Sequence, residues 1–222
     1  VLDRTGAFTK SLGDTALVVV ASLGREWADR IYAPVAESLM KSGVKFSTIR
    51  GSAPNSPRED LYRIANEVSK TRPASIVAVG GGSTLDVAKA ASLLATYSVE
   101  QVQEHLGASP ADASTVEPWF GAGMATKIMN ATGIAPIPVV AVETVSSSGS
   151  HLTKYANITD PLTGQKKLII DMAIVPPKAV FDFGVTTGCP EYLTLDGGLD
   201  GMSHMWEVFM GATGKDYFDR VK

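Results

Sequence analysis

Gly80-Gly81-Gly82-Ser83 follows the apolar run Ser75-Ile76-Val77-Ala78-Val79 and opens an Ala-rich helical pattern that carries Asp86 and Lys89. Strand, glycine turn and helix start together make an anion site. Glycines let a phosphate approach the backbone, and the N–H groups of the first helical turn point at it. The glycines are consecutive, so this is neither the spaced G-x-G-x-x-G of a Rossmann turn nor a P-loop, which needs Gly-Lys-Ser/Thr. A turn that needs glycine for steric reasons alone is the competing reading. Three in succession cost more conformational entropy than such a turn requires.

Two further segments carry chemistry. Glu143 to Ser150 is dense in hydroxyls, with Thr144, Ser146, Ser147 and Ser148 before Gly149, and it leaves another apolar run, Ile137 to Val142. In doubly wound sheets ligands bind outside the carboxyl ends of the strands, so this loop is expected to face the Gly80 turn across a crevice. A solvated Ser-rich loop is the plainer alternative. Further on, Asp200 and His204 stand i and i+4, neighbours on one helix face, with Glu207 three residues beyond. A carboxylate oxygen and an imidazole nitrogen at that spacing can reach one divalent cation. Taken alone, such a pair is as well read as a capping Asp beside an ordinary His. Of the other histidines, His105 reads as surface, and His151 follows the hydroxyl loop toward the crevice.

The elements that must position these residues alternate. Ala16 to Ala21 reads as a strand buried on both faces. Arg25 to Lys41 shows helical spacing of Trp27, Ile31, Val35 and Leu39, closed by Gly43. Val44 to Ile49 is a second strand, and Arg58 to Lys70 a second helix entered through Ser56-Pro57. Ile76 to Val79 is the third strand and Ser83 to Ala95 its helix. From Gln101 to Pro138 the pattern loosens, with Trp119 to Gly123 as an aromatic loop, and the segment is expected to be a lid or an interface. Tyr155 to Thr159 and Lys167 to Asp171 alternate around Asp160-Pro161-Leu162-Thr163-Gly164, as a hairpin does. Ala179 to Asp182 is a last strand, and helix follows Pro190. The expected fold is α/β: a doubly wound parallel sheet over 1–185, then the start of a helical part over 186–222.

The bulk numbers exclude several classes. With 45% hydrophobic and 19% charged residues the chain is globular, and a net charge of −3 argues against a broad nucleic-acid or membrane surface. No apolar run is long enough to span a bilayer. Cys189 is the sole cysteine, so no intrachain disulfide forms and a reducing cytoplasm is expected. The chain opens without Met and stops soon after Glu207, and we expect a piece of a longer protein.

These three segments, in this order, resemble the iron-containing (group III) alcohol dehydrogenase family, in the superfamily that also holds glycerol dehydrogenases and dehydroquinate synthase. Gly80 to Lys89 resembles the family's GGGSxxDxAK pattern. Pro138 to Asp160 resembles its strand, nucleotide loop and following T-D. Gly198 to Glu207 resembles its metal-binding segment, and Pro54-Asn55 its P-N-P turn. The resemblance implies a pyrophosphate of NAD or NADP held by Gly81, Gly82 and Ser83, with Asp86 close to the nicotinamide side. It implies nucleotide contacts from Asn55, Thr144 and Ser148, and Lys166 near the nicotinamide ribose. Asp200 and His204 become the first two ligands of a four-ligand Fe²⁺ or Zn²⁺ site.

The implied activity is hydride transfer between the nicotinamide and a small alcohol or aldehyde, by a cytoplasmic homodimer. No side chain stands out as the proton-transfer group. The chain also departs from the pattern. Glu143 stands where proline is usual and His151 where glutamate is usual. Ala21 replaces an acidic residue that disfavours a 2′-phosphate, which with Arg25 nearby opens the site to NADP. The remaining metal ligands of the family lie beyond Lys222. A nucleotide-binding fragment or pseudoenzyme without metal, and a dehydroquinate-synthase-like or glycerol-dehydrogenase-like enzyme, are the alternatives.

Overall fold

The computed structural model describes residues 1–146 and 148–212. In chain order the elements are α1 (Thr5–Lys10), β1 (Thr15–Val20), α2 (Glu26–Lys41), β2 (Lys45–Arg50), α3 (Arg58–Thr71), β3 (Ser75–Gly80) and α4 (Gly82–Thr96). There follow α5 (Val99–Leu106), β4 (Gly121–Ala122), α6 (Met124–Thr132), β5 (Val139–Glu143), β6 (Tyr155–Thr159) and β7 (Lys166–Ile170). The last are β8 (Lys178–Phe181), α7 (Phe183–Thr186) and α8 (Glu191–Ala212).

The main sheet runs β2-β1-β3-β5-β8 and every pair in it is parallel. Leu17, Val19, Ile76 and Ala78 face one side, toward Leu61, Ile64, Val68 and Leu85 of α3 and α4. Val18, Val20, Val77, Val79, Val140 and Val142 face the other, toward Val35 and Leu39 of α2. Helices on both faces explain why the strands read as unbroken β-branched runs rather than alternating ones.

The strand order reverses between β1 and β3, and the crevice of a doubly wound sheet opens at such a point, beyond the carboxyl ends. Gly80 closes β3 there, beside Ala21: a Cβ on Gly80 would stand 2.8 Å from the Ala21 Cβ. The expected turn is therefore tighter than its sequence suggests. Gly80 belongs to the strand and Gly82 to the helix, leaving Gly81 between them.

Helix α4 is the keystone. Every residue from Thr84 to Leu93 is buried, and the run of small side chains (Ala88, Ala90, Ala91) lets neighbours pack on all sides. One neighbour is the second sheet, β4-β7-β6, in which β6 and β7 pair antiparallel from Tyr155↔Ile170 to Thr159↔Lys166. Lys89, wholly buried, donates to the carbonyls of Thr153 at 3.0 Å and Tyr155 at 2.8 Å, and so staples this hairpin to α4.

The 101–138 segment corrects the sequence reading. It is neither loose nor a lid. A capping box between Ser98 and Gln101 starts α5, and Gly123 and Gly133, both left-handed, bound α6. Val116, Trp119, Ala125 and Ile128 are buried in the same core as α3 and α4, and Trp119 packs against Tyr97 with centroids 5.6 Å apart. Glu117 bridges Arg58 of α3 and Lys167 of β7, the latter at 2.8 Å, fastening the segment beside the hairpin. Pro57 occupies the N-cap position of α3, without a side-chain cap. No described helix is long and apolar enough to cross a membrane.

Candidate functional site: a crevice around the start of helix α4

The first helical bonds of α4 are from Thr84 N–H at 3.0 Å and Leu85 N–H at 3.2 Å, both to the Gly81 carbonyl. The N–H groups of Gly82 and Ser83 thus precede the helical ladder, as helix geometry requires. No side chain caps this end, and its first turn holds no acidic residue. With the helix dipole added, the end is suited to an anion.

Two loops wall this end. The loop after β2 is zipped to it: Asn55 N–H donates to Ser83 Oγ at 3.1 Å, and Ser56 Oγ donates to the Ser83 carbonyl at 3.3 Å. Asn55 and Ser56 both hold left-handed φ, 67° and 52°, a strained pair for non-glycine residues that the zipper sustains. Lys166 Nζ, from the start of β7, donates to Asn55 Oδ1 at 2.9 Å. Asn55, Ser83 and Lys166, far apart in sequence, are therefore one cluster.

The loop after β5 forms the opposite wall. Thr144 N–H donates to the Gly80 carbonyl at 3.2 Å. A Cβ on Gly81 would meet Val145 Cγ2 at 3.0 Å, and one on Gly82 would meet Ser148 Cβ at 3.0 Å. The steric reading of the glycines is thus correct in part, because the absent side chains let this loop lie on the turn. Thr144 thus lies against Gly80, and Ser148 against Gly82.

Asp86 is placed differently from a surface contact. It is buried, accepts from Ser150 Oγ at 2.5 Å and from Asn157 N–H at 2.9 Å, and lies 3.9 Å from Lys89 Nζ. Burial raises its carboxyl above the usual carboxylate range, against the pull of Lys89, Ser150 and Asn157. Burial lowers the Lys89 amine to about 8, with Asp86 and Glu143 opposing the shift.

A cavity of about 880 Å³ opens between α2, Thr144 and the start of α8, bounded by Trp27, Arg30, Ile31, Val185 and Cys189. Its size is that of a nucleotide-scale ligand site. Sequence reasoning missed this wall, since Trp27 and Ile31 read only as the apolar face of a helix. It also missed that Glu143 and His151, noted singly as departures, are partners 3.1 Å apart. Their eight-residue separation has no helical or strand period to betray it. His105 is partly covered at the last turn of α5, near Glu104.

Asp200 and His204 do share a face of α8, with His204 Nε2 3.5 Å from Asp200 Oδ1 and His204 Nδ1 3.6 Å from Glu207 Oε2. Their donor chemistry suits Fe²⁺ or Zn²⁺. Among the described residues, however, no group of three or more His, Cys, Asp or Glu side chains could hold a metal ion. The two therefore do not make a metal site by themselves.

Residues 1–183 match the family of iron-containing alcohol dehydrogenases. The chain belongs to that family. It is 29% identical over 195 residues to probable alcohol dehydrogenase EutG of Salmonella typhimurium, covering 85% of this chain and 42% of that one. It is 26% identical to NAD-dependent methanol dehydrogenase of Bacillus methanolicus, covering 80% of this chain and 40% of that one. The fold is similar to that of NADH-dependent butanol dehydrogenase A of Thermotoga maritima, with a TM-score of 0.73 and 23% identity over 93% of this chain and 46% of that one. The chain spans less than half the length of these relatives.

Proposed function

We propose that this chain supplies the dinucleotide-binding half of a metal-dependent alcohol dehydrogenase that moves a hydride between NAD(P) and a small alcohol or aldehyde. The observation that carries this reading is the α4 N-terminus. It lacks a side-chain cap, lies at the point where the strand order reverses, and is flanked by the Asn55–Ser83–Lys166 cluster and by Thr144 and Ser148. In this reading Gly81, Gly82 and Ser83 hold the pyrophosphate, and Lys166 and Asn55 meet the nicotinamide ribose. Asp86 supports the nicotinamide side by fixing Ser150 and Asn157. The adenosine half occupies the cavity beside Trp27 and Arg30. The crevice contributes by fixing the distance and angle of the hydride donor. With Ala21 in place of a carboxylate and Arg25 nearby, both NAD and NADP are admitted.

We assign 1–185 to this dinucleotide part and 186–222 to the beginning of a helical metal-binding part. A bound Fe²⁺ or Zn²⁺ would supply a Lewis acid to the substrate oxygen. Asp200 and His204 would supply two of its ligands. The assembly we infer is a cytoplasmic homodimer. Fluorescence titration with NADH and NADPH tests the proposal for this chain. Saturable binding supports it, and absence of binding overturns it.

A further inference from the structure

A carboxylate sits behind the glycine turn. Glu143 ends β5, in register with Gly80 of β3 on one side and Phe181 of β8 on the other. Its side chain has no exposed surface. Ser148 Oγ donates to Oε2 at 2.6 Å, His151 Nδ1 lies 3.1 Å from the same oxygen, and Val145 N–H donates to Oε1 at 3.4 Å. Oε1 is also 3.9 Å from the point where a Cβ on Gly81 would stand. The His151 ring lies flat on Phe181, with centroids 5.5 Å apart and planes 13° apart, and Phe183 meets Phe181 edge-on. The imidazole is thus locked in place against the acid.

Charge decides what this pair does. With the carboxylate ionised and the imidazole neutral, a net negative charge lies close to the N–H groups that would receive a diphosphate. With one proton on the pair, on either partner, it is neutral. Lys89 also titrates near this pair, its amine lowered to about 8 by burial. Asp86 and Lys89 face it from α4, one of each sign, 3.9 Å apart. Asp182, just past the end of β8, accepts from Gly184 N–H at 3.0 Å. β3 contributes only Gly80 here. Burial raises the Glu143 carboxyl, with Ser148 and His151 opposing.

We propose that Glu143 and His151 act as a one-proton pair behind the turn, so that a dinucleotide binds when the pair holds the proton and binding draws a proton onto it. Glu143 is a positioning residue as well, since it fixes Val145 and Ser148 over Gly81 and Gly82. This inference rests on the dinucleotide reading above, and the experiment separates the two.

NADH is titrated into the whole chain by fluorescence from about pH 5.5 to about pH 9, and by calorimetry in two buffers of different ionisation enthalpy. The dissociation constant should rise about tenfold or more through the pair's titration, with protons taken up on the slope. Glu143→Gln should flatten the profile and bind NADH more tightly than wild type at the alkaline end. His151→Gln should move the slope to lower pH. Weaker binding of Glu143→Gln at every pH with the slope intact would show a purely structural role and overturn the inference. A flat wild-type profile without proton uptake would overturn it while leaving dinucleotide binding intact. No NADH binding by wild type at any pH would overturn both readings. If Glu143→Gln does not fold, His151→Gln decides, since a slope that came from Lys89 would not move with it.

Discussion

Ser148 Cβ lies 3.0 Å from the point at which a methyl group on Gly82 would stand, so the loop after β5 rests directly on the first turn of α4. Gly82 is the first residue of α4, so alanine there gains only part of the about 1 kcal/mol of propensity found in helix interiors. The added methyl must displace Ser148 by a few tenths of an ångström. Gly82→Ala should therefore leave stability within about 1 kcal/mol of wild type by urea denaturation. It should weaken NADH binding about tenfold, equal to about 1.4 kcal/mol.

Lys166 is exposed and, among the described residues, meets the site through Asn55 Oδ1 at 2.9 Å. Lys166→Ala should change stability by less than about 0.5 kcal/mol, as surface substitutions do. NADH affinity should fall about threefold to tenfold at low salt and less at high salt, because the lost attraction is screened. Titrations at two ionic strengths check this.

Lys89 has no exposed surface and donates to two carbonyls of the hairpin segment. Lys89→Met leaves those carbonyls unpaired and Asp86 without its cation, and should cost about 3 kcal/mol in urea denaturation. The pH dependence has a defined sign. The folded amine titrates near about 8, below its unfolded value of about 10.4. Between those values the unfolded chain binds more protons, so stability rises with pH across that window and is lost as pH falls through about 8. The methionine variant should lack that slope. Tyr97, raised to about 12 by burial, acts oppositely only at higher pH.

Among the described residues, Asp200 and His204 have no third side chain with which they could hold a metal ion. A Zn²⁺ titration should show weak binding, since tight protein sites use three or more protein ligands. His204→Ala should abolish it while NADH affinity stays within about twofold. A tightly bound stoichiometric metal, or equal loss of both ligands in the variant, would contradict the division of labour.

The strands and long helices were legible because sheet burial on both faces writes itself as unbroken runs such as Leu17 to Val20. The hairpin was legible from its alternation, within one residue of the observed β7. The 101–138 segment was not. α5 and α6 are short, so their periodicity covers barely two turns, and two-residue β4 has no sequence period at all. Trp119 looked like a loop aromatic because its burial depends on Tyr97 and α6, not on its neighbours. At the site, the types and order of Gly81, Gly82, Ser83 and Thr144 pointed to an anion crevice. The zipper from Asn55 to Ser83 and the pairing of Glu143 with His151 are tertiary, and no local pattern encodes them.

The account stands on one claim, that the start of α4 receives a dinucleotide. Amide chemical shifts of the ¹⁵N-labelled chain, followed as NADH is added, test it most directly. The account predicts saturable shifts concentrated at Gly81, Gly82, Ser83, Asn55, Thr144 and Ser148. Saturable shifts confined to other surfaces, with these six unmoved, would contradict it.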